Sequence, residues 1–100
     1  MKREALEAFL KELKGKFGDR IEEVIVFGSY ARGDYDEESD IDVLIVGDVP
    51  FDDVIEISTE ILLKYGELIS PMVISPEEFR RRNDSFILTV KREGLTSFLP

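Results

Sequence analysis

The chain has 100 residues, and 13 Lys and Arg against 22 Asp and Glu leave a formal net charge of −9 with neither His nor Cys. That composition excludes disulfide scaffolds, thiol catalysis, zinc ribbons, Ser-His-Asp triads and imidazole bases, so any chemistry falls to carboxylates, hydroxyls, Arg, Lys or backbone. With 43% hydrophobic residues one core and a single domain over 1–100 are expected, and a pI near 4.5 disfavours direct nucleic-acid binding, which needs basic surface.

Met1-Lys2-Arg3-Glu4 leads into a charged amphipathic pattern, and no apolar run approaches the ~20 residues of a membrane span, so a cytoplasmic protein is expected. Leu6, Phe9, Leu10, Leu13 and Phe17 recur at three- and four-residue spacing and predict a helix over about 3–16, ended by Gly15 or Gly18. Val24 to Phe27 reads as a buried strand cut off by Gly28-Ser29. Tyr30 to Gly33 leaves room for about one helical turn, an acidic loop follows, and Ile41 to Val46 reads as a second strand closed by Gly47 to Pro50.

Val54, Ile57, Ile61, Leu62 and Tyr65 form a helical stripe over 51–65 with Gly66 at the C-cap. Leu68 to Ser75 reads as a third strand, and Pro71 within it predicts an edge position or a bulge. Ser75-Pro76-Glu77-Glu78 has the composition of a helix start, leading through Phe79 to Arg82. Phe86, Ile87 and Val90 predict a last helix stopping near Gly94, before an apolar tail over 95–100. The expected fold class is α/β (α+β): a small mixed sheet of about three strands flanked by helices.

Half of the acids are concentrated in one region. Between Gly33 and Leu63 there are 11 carboxylates and neither Lys nor Arg. Asp40 and Asp42 lie two apart on a predicted strand, so both point to one face with Cα atoms roughly 6.6 Å apart. At an effective dielectric near 20 they repel by on the order of 2–3 kcal/mol, a cost that a divalent cation removes. Oxygen-only ligands point to Mg²⁺, with Mn²⁺ the alternative. Just upstream, Gly28-Ser29 leaves a strand into a short turn whose backbone N–H groups can face a phosphate, with Arg32 adding positive charge.

Gly28-Ser29-Tyr30-Ala31-Arg32-Gly33 followed by Ser39-Asp40-Ile41-Asp42-Val43 resembles the signature of the DNA polymerase beta-like nucleotidyltransferase superfamily. Five matching positions would coincide by chance at a given start roughly once in a million at residue frequencies of ~5–7%. The length and element order are similar to those of the minimal nucleotidyltransferases of bacteria and archaea. The resemblance implies the polymerase beta-like fold, Gly28 and Ser29 on nucleotide phosphates with Arg32 and Ser39 beside them, and Asp40 and Asp42 as catalytic residues and ligands of Mg²⁺. It implies in-line attack of an acceptor hydroxyl on the α-phosphorus of ATP with loss of pyrophosphate.

Relatives usually add a third carboxylate on the later strand, whereas Leu68 to Ile74 contains no acid and Glu67 is the nearest. Some small members of the family are antitoxins whose partner is a helical ribonuclease of the higher-eukaryote-and-prokaryote nucleotide-binding (HEPN) type. In those pairs AMP passes to a partner tyrosine, or the partner is simply masked. The leading expectation is such a transferase. The alternative is a catalytically weak or inactive antitoxin that neutralises its partner by binding, and a homodimer is open.

For single residues, blander readings stand beside these. Asp40 and Asp42 could be outward charges on a solvated edge strand, although their apolar flanks favour a buried one. Ser39 could cap the loop, and Asp34, Asp36, Glu37 and Glu38 could be merely solvated. Arg80, Arg81 and Arg82 could form a solvated face or a contact with a partner or RNA. Leu95, Phe98 and Leu99 could join the core or an interface.

Overall fold

The two runs of β-branched residues pair at the centre of one sheet. Ile21–Phe27 (β1) lies antiparallel to Ile41–Gly47 (β2), with Val24 opposite Ile45 and Phe27 opposite Asp42. Ile69–Ile74 (β3) runs parallel to β2, and Leu95–Phe98 (β4) runs antiparallel to β1, giving the order β3-β2-β1-β4. This computed structural model describes residues 1–98. The α+β class is as expected, with one strand more: the segment from Leu95, expected as an apolar tail, pairs with β1. Four residues are too few to display an alternation of their own, so pairing makes this strand where periodicity could not announce it. Leu99 and Pro100 lie outside the described residues.

The helices are Lys2–Phe17 (α1), Gly28–Arg32 (α2), Phe51–Tyr65 (α3), Pro76–Arg81 (α4) and Ser85–Glu93 (α5), with a 3-10 turn over Gly18–Arg20. α1 and α3 cover one face of the sheet, where Phe9, Leu13, Val54, Ile57 and Ile61 pack with Val24, Val26, Ile41, Val43 and Ile45. On the opposite face Phe79 of α4 and Ile87 and Val90 of α5 pack on Ile25, Leu44, Val46 and Ile74. Strand residues alternate between these two layers, which is why β1 and β2 read as continuous apolar runs.

Local signals govern how the elements end. Ser75 caps α4 by accepting a 3.1 Å hydrogen bond from the Glu78 amide, with Pro76 at the first helical position. α3 stops at Gly66, whose φ of +72° is left-handed and whose amide donates to the Leu62 carbonyl at 2.9 Å. α1 extends one residue past the predicted helix at each end. Pro71 lies on an edge strand, one of the two placements its presence predicted. The Ile41 amide donates to the Leu68 carbonyl at 3.0 Å, so in a parallel ladder the even-numbered residues of β3 bond to β2 and Pro71 faces the free edge. Among the described residues, no helix is long and apolar enough to cross a membrane.

Candidate active site

The site forms where β1 gives way to α2 beside the start of β2. Phe27 is extended, and Gly28 turns the chain with φ +77° into the first turn of α2. A Cβ built on Gly28 would overlap Oδ2 of Asp42. Glycine is therefore required twice, by the left-handed backbone and by a carboxylate lying directly against the turn. Asp42 is opposite Phe27 in the β1–β2 register and shares its face with Leu44 and Val46.

Asp40 reaches the same place by a different route from the one predicted. β2 begins at Ile41, so Asp40 is the last residue of the preceding loop and not a strand residue, and it is exposed. Its orientation comes from β3: the Ser70 hydroxyl donates to Asp40 Oδ2 at 3.1 Å. Ser70 is the register partner of Asp42 across the parallel β2–β3 pair. Two carboxylates and one hydroxyl therefore converge on one face of the sheet. Partial burial, with the Asp40 charge adding to it, holds the Asp42 carboxyl above its ordinary range, and the Arg32 guanidinium pulls in the opposite direction.

The remaining predicted positions divide. Arg32, at the end of α2, donates from Nε to Asp34 Oδ2 at 3.3 Å, with both side chains half exposed. The Ser39 hydroxyl is taken up within its loop: it accepts from the Asp36 amide at 3.1 Å and donates to Asp36 Oδ1 at 3.2 Å. Glu67 is turned away to Lys2, whose Nζ lies 2.9 Å from Glu67 Oε1. The same ammonium donates to the carbonyls of Ser39 at 2.6 Å and Glu37 at 3.2 Å. Among the described residues, no cluster of three or more His, Cys, Asp and Glu could hold a metal; on β3 the Ser70 hydroxyl bonds to Asp40 and is in register with Asp42.

Sequence reading missed Ser70 and Lys2. Ser70 was legible in principle, because a strand parallel to an Asp-x-Asp strand must place some residue beside the second aspartate. Lys2 gave no signal, since its partners are 35 to 65 positions away. Arg80, Arg81 and Arg82, a cluster of undecided role, are each matched by an acid: Glu22 at 3.2 Å, Glu78 at 3.8 Å and Asp84 at 2.8 Å. The Arg82 hydrogen bond holds the Asp84 carboxyl at about 2.

A left-handed glycine turn pressed against the Asp42 carboxylate, with the Asp40 charge beside it at the start of a central strand of a mixed α+β sheet, is the geometry of the site. Residues 6–95 match the family model described as "Nucleotidyltransferase domain". The chain belongs to that family and is a nucleotidyltransferase. It is 55% identical over 91 residues to a Methanocaldococcus jannaschii protein named "Putative protein adenylyltransferase", covering 90% of this chain and 91% of the relative. It is also 52% identical over 40 residues to protein adenylyltransferase MntA of Thermococcus cleftensis, covering 40% of this chain and 38% of that one. In fold it is similar to a chain of the "Crystal structure of the toxin-antitoxin with AMP-PNP", with a TM-score of 0.67 at 17% identity, covering 94% of this chain and 73% of the other.

Proposed function

We propose that the protein binds Mg²⁺-ATP and transfers AMP to a hydroxyl, with a tyrosine of a helical HEPN-type toxin as the acceptor and the protein as its antitoxin. One observation carries this reading: the Asp42 carboxylate lies directly against the Gly28 turn, so the candidate phosphate cradle and the candidate metal ligands form a single site. The near full-length relative named for protein adenylylation supports the acceptor class.

The donor set fits a hard divalent cation. Asp40 and Asp42 supply carboxylate oxygens, the chain has neither His nor Cys, and the repulsion and burial that push the Asp42 carboxyl upward are relieved by a cation. Mn²⁺ would satisfy the same donors. Bound there, the metal would supply neutralisation of charge on the reacting phosphates.

The chain's own residues supply the rest. Backbone N–H groups of the Gly28-Ser29 turn and the Ser29 hydroxyl bind the β- and γ-phosphates, and Arg32 adds positive charge beside them. Ser39 serves the site through its loop bonds to Asp36. Held in line, the acceptor oxygen forms its bond to the α-phosphorus as the bond to the bridging oxygen breaks, and pyrophosphate leaves. The acceptor proton passes to a carboxylate oxygen or to water.

Incubation with labelled ATP, Mg²⁺ and the product of the adjacent gene tests this directly. Label is expected on the partner and is expected to vanish with Asp42→Asn. A second reading is favoured by Ser70, which occupies the strand position beside Asp42 where a further carboxylate would complete a two-metal site: the protein would neutralise its partner by binding, with slow or absent transfer. Tight complex formation without label transfer would select that reading.

A further inference from the structure

Lys2 is nearly buried, at 8% exposure, on the α1 side of the acidic loop. Its ammonium spends its three protons on the Ser39 carbonyl at 2.6 Å, the Glu37 carbonyl at 3.2 Å and Glu67 Oε1 at 2.9 Å. The ammonium and its acceptors come from three places that meet only in the fold: the start of α1, the segment leading into Asp40, and the residues before β3. The contact to Ser39 is made on the residue immediately preceding Asp40, while the Ser70 hydroxyl holds the Asp40 carboxylate itself at 3.1 Å.

We propose that Lys2 is a positioning residue for the metal site, resting on the reading that Asp40 and Asp42 hold the divalent cation. Asp40 lies outside the β2 ladder, in a loop carrying Asp34, Asp36, Glu37 and Glu38 as exposed acids, and mutual repulsion would swing that loop away from Asp42. The Lys2 ammonium offsets the repulsion and pins two carbonyls of the loop backbone, those of Glu37 and Ser39. Asp40 is thereby presented beside Asp42 before any cation arrives. Glu67 balances the buried charge of Lys2, which removes it as a metal ligand and leaves the site with two carboxylates.

The test measures binding of a non-hydrolysable ATP analogue as Mg²⁺ is titrated, at a temperature well below unfolding. Lys2→Met keeps the apolar stem and removes the donors. The Mg²⁺ concentration at half-saturation is expected to rise about tenfold, the scale on which residues supporting metal ligands act, while analogue affinity at saturating Mg²⁺ changes less than twofold. Hydrogen exchange at the amides of 38–41 is expected to accelerate, with β1 and α3 unaffected. Glu67→Gln, a milder change that keeps a hydrogen-bond acceptor, is expected to move the same midpoint in the same direction by a smaller factor.

A lowered melting temperature with an unchanged Mg²⁺ midpoint in both variants would make Lys2 a structural clamp alone and overturn the proposal. A wild-type protein whose analogue binding ignores Mg²⁺ would overturn the metal-site reading itself and this proposal with it. That result is read from the wild type, so the two failures are distinct.

Discussion

Asp42 carries an unfavourable charge in the metal-free protein. Burial and the neighbouring Asp40 raise its carboxyl above the unfolded value of 3.8, so the native state holds the proton more tightly than the unfolded chain. The stability this contributes is fully present below the unfolded value and is lost as pH rises through the folded value. In EDTA, Asp42→Asn is therefore expected to raise the melting temperature at pH 7 by a few degrees and to flatten its decline above pH 4, while abolishing the response to Mg²⁺. Calorimetry against pH checks both; a lower melting temperature for the variant would contradict the site electrostatics. Gly28→Ala meets both a positive φ and the Asp42 carboxylate. It is expected to cost about 2 kcal/mol or more in denaturant unfolding and to weaken nucleotide binding. Ser70→Asp would place a third carboxylate in register with Asp42. It is expected to destabilise the metal-free protein by on the order of 2 kcal/mol and to lower the Mg²⁺ concentration that supports nucleotide binding; an unchanged midpoint would show that position 70 does not face the cation.

At the scale of elements, the parts that sequence placed well were those whose ends are local. α3 is bounded as predicted because its apolar stripe and Gly66 both act within a turn or two of the chain. The Ser75 cap is equally local, and Ser75→Ala is expected to cost about 1 kcal/mol without moving the Mg²⁺ midpoint, as equilibrium unfolding and the titration would show. β4 is the contrary case, since its four residues are a strand only because β1 offers an open edge. Asp40 illustrates the same limit within the site. Its two-residue spacing from Asp42 was legible, but its placement depends on Ser70 and on the loop bonded to Lys2. The opposite edge of the sheet is closed to further pairing in one respect, because Pro71 presents no N–H there.

Across the whole molecule, the net charge of −9 is unevenly held. The basic residues of α4 and its surroundings are matched by Glu22, Glu78 and Asp84, while in the acidic stretch from Asp34 to Glu60 Arg32 pairs with Asp34 and the Lys2 ammonium bonds to the backbone carbonyls of Glu37 and Ser39. Raising ionic strength from about 0.01 to about 0.15 M shortens the Debye length from about 30 to about 8 Å. It is expected to raise the melting temperature by screening that repulsion, and millimolar Mg²⁺ is expected to add a further increase that Asp42→Asn does not show. A melting temperature that falls with salt would mean that ion pairs outweigh repulsion.

The sequence alone determined the chemistry available and the motif that localises it. With neither His nor Cys, imidazole and thiol chemistry were excluded, and Gly28-Ser29 set a short distance before Asp40 and Asp42 marked a turn and a strand that the fold brings together. Those are properties of residue type and local spacing, which a chain displays without folding. Tertiary structure decided what surrounds the pair: Ser70 in register with Asp42 and bonded to Asp40, Glu67 paired with Lys2, and the loop before Asp40 bonded to Lys2 from a distant part of the chain. Such arrangements depend on strand register and burial, which no local pattern of residues encodes.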